Sequence, residues 1–188
     1  MPPGPASPGR RRARLAGLIL LGLVLAAGAV VLSLTFFSAR DKPSVEAVSG
    51  PGAEQPDRGN RVIPPGRPGA RPPRGPLTSG PHHDAPVTAD GARLSGDQVL
   101  TALAAGNVIL AYGSPQPPAG LREVAESVAG APFDPALGRA GQAVILARRP
   151  GTRGVLALAW RHSLAVPPAD RGELRAFAEF WLGRGAAG

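Results

Sequence analysis

His82 and His83 stand side by side in "PLTSGPHHDAP", residues 76–86, with Asp84 directly after them, and the third histidine of the chain is His162 in "AWRHS". Imidazole nitrogens with a carboxylate form a donor set that suits a late transition metal such as copper. Neighbouring histidines on a loop seldom both face one ion, so a metal site at His82, His83 and His162 requires the "AWRHS" strand to fold beside the histidine loop. The preferred reading is structural: Pro81 and Pro86 fix a turn, and the imidazoles bond to backbone or water. No cofactor is expected on that reading, and a transition metal ion is the alternative.

Other chemistries find less support. The chain has no cysteine, which removes disulfides, thiolate ligands and thiol nucleophiles. Ser79, Ser95 and Ser163 lack a Gly-x-Ser-x-Gly elbow, and no His–Asp pair is set beside them by pattern. The glycines of "SGPGAEQPDRGN" have neither a strand before them nor a helix after them, as a phosphate-binding loop would need. No catalytic residue is assigned, and the expectation is a protein that is not an enzyme.

The elements that must position these residues begin after about residue 76. Ser95 and Gln98 form a capping-box pattern and Gly106 supplies a stop, which predicts a helix over 96–105. "NVILAY", 107–112, is a compact apolar run suited to a buried strand. Leu121, Val124, Ala125 and Val128 recur at helical spacing, predicting an amphipathic helix over 119–129. "QAVILARR" and "GVLALAWR" read as two strands joined by "PGTRG" in an antiparallel hairpin. Asp170 and Glu173 begin a closing helix over 170–183, with Leu174, Phe177 and Trp181 on one face. This order predicts a small α+β domain over 76–188, with helices covering one face of a mostly antiparallel sheet. Tyr112, Trp160 and Trp181 are expected in its core.

The first 75 residues read differently. Leu15 to Phe37 is a run of 23 residues with no charge and no proline. As a helix it would be about 34 Å long, enough to cross a hydrocarbon core of about 30 Å. It is longer than the apolar part of a typical signal peptide and leaves through "TFFSARDK", which offers no convincing cleavage site. The basic tail 1–14 carries Arg10, Arg11, Arg12 and Arg14 directly before the run, which places it in the cytoplasm by the positive-inside rule. Everything after the span then lies outside the cell membrane. Residues 38–75 are dense in Pro, Gly and charge without hydrophobic period, and read as a disordered spacer.

The net charge of +8 suggests nucleic acid only until it is divided by region. Half of it is the arginine cluster beside the apolar run, while residues 91–188 carry ten bases and seven acids, without a basic stripe or stacking aromatics. Nucleic acid is therefore not an expected partner. The bilayer is, through residues 15–37, and another membrane or cell-envelope protein is the expected partner class for the outer domain.

The motifs from 76 to 183 resemble those of DUF3105, a family of bacterial membrane-anchored proteins. A "PPTSGPH"-like opening is matched by Pro76, Thr78, Ser79, Gly80, Pro81 and His82. A "vHxLEHGxVxxxY" helix-to-strand junction keeps Leu103, Gly106, Val108 and Tyr112, and an "AWxRxL"-like strand keeps Ala159, Trp160 and Leu164. The resemblance implies a membrane-anchored extracytoplasmic domain. It also implies that the family's His, Glu and His, set along one helix face, are replaced here by Thr101, Ala104 and Ala105, none an ordinary metal ligand. The sequence thus describes a single-pass membrane protein presenting a small, non-catalytic binding or interaction domain, with a metal-binding protein as the alternative.

Overall fold

The computed structural model describes residues 49–69 and 75–186. The apolar run 15–37 and the basic tail 1–14 lie outside the described residues. Among the described residues no helix is long and apolar enough to cross a membrane. The described residues from Gly50 onward form one compact unit, a mixed α+β fold with five strands and four helices among them.

In chain order the elements are β1 (Ala53–Glu54), α1 (Gly96–Ala105), β2 (Val108–Tyr112), α2 (Leu121–Ala129), α3 (Pro135–Arg139), β3 (Val144–Arg148), β4 (Val155–Ala159), β5 (His162–Val166) and α4 (Arg171–Trp181). The capping logic of α1 holds atom by atom: Ser95 and Gln98 exchange both bonds of the box, and Gly106 closes the helix at φ 107°. Asp170 likewise caps α4, its carboxylate accepting from the Glu173 N–H.

The sheet order is β1-β5-β4-β2-β3. Three of its pairings are antiparallel, but β2 and β3 run parallel, Val108 beside Val144 through Tyr112 beside Arg148. This corrects the expected hairpin between "VILAR" and "VLALA". A parallel pair needs a long crossover, and residues 113–143 with α2 and α3 supply it. β4 then pairs with the far side of β2, so "PGTRG" is a bridge across the end of β2, a step of about 10 Å. Gly113 permits it, since a Cβ there would collide with the Thr152 carbonyl. The true hairpin joins β4 to β5 through Trp160 and Arg161, closed by the Ala159–His162 pair.

Helices cover both faces, not one. Alternate residues of β2, β3 and β4 point to opposite sides. Val108, Leu110, Tyr112, Val144 and Leu146 meet α2 and α4, whereas Ile109, Ile145, Ala147 and Leu158 meet α1, with Leu137 of α3 packed at the margin. All five residues of β2 are therefore buried, as its unbroken apolar run requires. Tyr112, Trp160 and Trp181 are all buried in these two clusters.

The spacer assignment also needs correction over residues 49–63. β1 pairs with β5, Ile63 is buried, and Val62 bridges to His82. Trp181 Nε1 donates to the Pro51 carbonyl at 2.9 Å. A Cβ on Gly50 would collide with the rings of Phe180 and Trp181. This segment packs largely through backbone and glycine, which leave no apolar period to read.

Candidate functional site

The histidine loop is built on the segment 59–63. Ile63 N–H donates to the His82 carbonyl at 2.7 Å, His82 N–H to Arg61 at 3.1 Å, and Gly80 N–H to Gly59 at 2.8 Å. His82 is 3% exposed, its Nδ1 donating to the Gly80 carbonyl at 2.9 Å. His83 Nδ1 donates to Ile63 at 3.1 Å, and its backbone N–H to Asp97 Oδ1 of α1 at 3.0 Å. A carbonyl can only accept, so both rings carry their proton on Nδ1 when neutral.

His162 sits elsewhere. It lies in β5 on the same side as Leu164 and Val166, the side packed by α4, and its ring stacks on Trp181 with centroids 3.7 Å apart. His162 Nδ1 donates to the Trp160 carbonyl at 3.0 Å. His82 and His83 belong to the loop that α1 holds on the opposite side of the sheet. Arg161 does touch that loop, its N–H donating to Thr78 at 3.0 Å, but the strand alternation turns His162 away. Among the described residues no group of three His, Asp or Glu side chains converges as a metal-binding set.

The serine hydroxyls are equally committed. Ser79 Oγ donates to Pro56 and accepts from Arg58 N–H, Ser95 caps α1, and Ser163 accepts from Gln55 Nε2 at 3.0 Å.

What the loop and α1 do enclose is a cavity of about 360 Å³ lined by Asp84, Pro86, Val87, Thr101, Ala102, Ala105, Asn107, Gly138, Arg139 and Ile145. Thr101 and Ala105 are two of the three positions that the resemblance noted above aligns with a His-Glu-His set. Thr101 instead pins the loop to α1, its hydroxyl donating to the His83 carbonyl at 3.1 Å and accepting from Ala85 N–H at 3.0 Å. At the third position, Ala104 accepts the Ala186 N–H at 3.0 Å, so the C-terminal segment seals the end of the helix. Asn107, buried to 1% exposure, ties the cavity's back wall together through Ala102, Gly138 and Ala143. Asp84 and Arg139 stand at the exposed rim.

Asn107 and Arg139 were not legible as lining residues. Asn107 directly follows the helix-ending glycine, a position open to any polar residue, and Arg139 belongs to a five-residue helix too short for a period. Comparisons with known protein families, curated proteins and solved structures find no match for this chain.

Proposed function

We propose that this chain is a single-pass membrane protein, N-terminus in the cytoplasm, that presents the α+β unit outside the cell as a non-catalytic binding module of the DUF3105 kind. The observation that carries this reading is the uncharged apolar run Leu15–Phe37 directly behind four arginines. Two features of the folded unit support the binding role. The α1 cavity lies within the size range of small-ligand sites, about 300–1,000 Å³, and its rim offers one exposed carboxylate and one exposed guanidinium. His82, His83, His162, Ser79, Ser95 and Ser163 each make backbone, capping or packing contacts, which supports a binding role for the cavity over nucleophile chemistry.

The test is protease protection of a C-terminally tagged full chain in wall-stripped cells. External protease removes the tag from intact cells if the unit faces outward. Full protection of the tag, or recovery of the intact chain in the soluble fraction, defeats the proposal.

A further inference from the structure

A second cavity, of about 420 Å³, opens on the α1 side of the sheet near the C-terminal ends of β2 and β3. Its floor is Ile109, Ala111, Ala147 and Leu158. Ala111 and Ala147 are direct partners in the parallel register, so two methyl groups lie side by side on this floor. Three exposed arginines line the cavity: Arg93 from the loop before α1, and Arg148 and Arg149 where β3 ends. No carboxylate lines it, and none of the three guanidinium groups makes an ion pair among the described residues.

The composition of the lining selects the occupant. Among the described residues the only polar side chains lining it are those arginines. A peptide laid on the floor would bury amide N–H groups with no side-chain acceptor, since arginine can only donate, at about 1–3 kcal/mol each. An alkyl chain carries no such groups and gains from contact with the aliphatic floor. The guanidinium forks in turn match a carboxylate head, which they hold with paired charge-assisted bonds. We infer that this cavity binds a fatty-acid-type carboxylate, its chain on the alanine-lined floor and its head among Arg93, Arg148 and Arg149.

The inference rests on the reading of the unit as a binding module and names a ligand class for it. The experiment uses the full chain in vesicles of zwitterionic lipid with a diazirine-bearing analogue of decanoate. Saturable cross-links are expected in 93–99 and 147–158, displaced by decanoate. The triple variant Arg93→Gln, Arg148→Gln, Arg149→Gln lowers this labelling at least tenfold while its near-ultraviolet dichroism stays unchanged, because all three side chains are exposed.

Competition by decanol as effective as by decanoate overturns the head-group assignment. Displacement by inorganic phosphate alone makes the cavity a bare anion site, and stronger displacement by an acidic peptide makes it a peptide site; either result overturns the inference. So does labelling that ignores the arginine variant. Cross-linking reports on the cavity and protease protection on topology, so either proposal can fail while the other stands.

Discussion

Arg161 has φ 59°, the one positive value at a non-glycine position among the described residues. Its side chain and backbone both hold the segment before it: the guanidinium binds Glu54 and reaches Asp57 at 3.6 Å, while its carbonyl accepts the Gln55 N–H at 2.7 Å. One turn residue therefore fastens the lead-in segment to the β4–β5 hairpin. Tyr112 gives a residue-scale prediction. Burial, and then the negative charge of Asp90, push its phenol above the ordinary tyrosine value. Below about pH 10 the phenol is protonated in both folded and unfolded chains, and stability is flat on its account. As pH rises further the unfolded chain releases this proton first, so stability falls through the window up to the raised value. Urea melts between about pH 9 and 11 should show a steeper loss for the wild type than for Tyr112→Phe; parallel curves would remove tyrosine ionisation as the cause.

At the scale of elements, β3 is one edge strand of the sheet, and edges invite pairing with other chains. Here residues 90–92 cover it. Gly91 N–H donates to Leu146 at 2.9 Å, Arg148 N–H to Ala92 at 3.0 Å, and Asp90 Oδ1 accepts from Leu146 N–H at 2.8 Å. The other Asp90 oxygen holds Arg122 of α2 at 2.7 Å, which raises the guanidinium's affinity for its proton. Asp90→Ala leaves the Leu146 N–H without its partner and should cost about 1–3 kcal/mol. Arg122→Ala removes only a half-exposed ion pair and should cost under about 1 kcal/mol. Chemical denaturation of the two variants checks the order, and equal losses would show that the strand bond carries no more than the ion pair.

For the whole molecule, the consequential finding is where the folded unit begins. A domain starting at residue 76 would expose the Trp181 Nε1–H that Pro51 accepts, strand β5 where β1 covers it, and the face that buried Ile63 occupies. A chain cut to 76–188 should therefore be less stable than one cut to 50–188 by at least about 2 kcal/mol, since one buried isoleucine alone is worth about 1.5–3 kcal/mol. Thermal melts of both fragments test this, and coincident transitions would return the boundary to 76. The extra segment also shortens the distance between the apolar run at 15–37 and the first residues of the folded unit to about a dozen residues of chain.

Local chemistry was readable from the sequence by itself. The Ser95 and Asp170 caps, the stop at Gly106, and the strand nature of "VILAY" depend on neighbours within a few positions, and the structure bears them out. Pairing was not readable, because "VILAR" and "VLALA" satisfy a hairpin and a split arrangement around β2 equally well. The choice between them is made by the crossover carrying α2 and α3 and by the close passage at Gly113. The same limit governs the histidines: their spacing permits a shared ion, but the side each faces follows from strand alternation and from what covers the sheet. Only tertiary packing, in which α4 takes His162 and α1 holds the loop of His82 and His83, decided that they part.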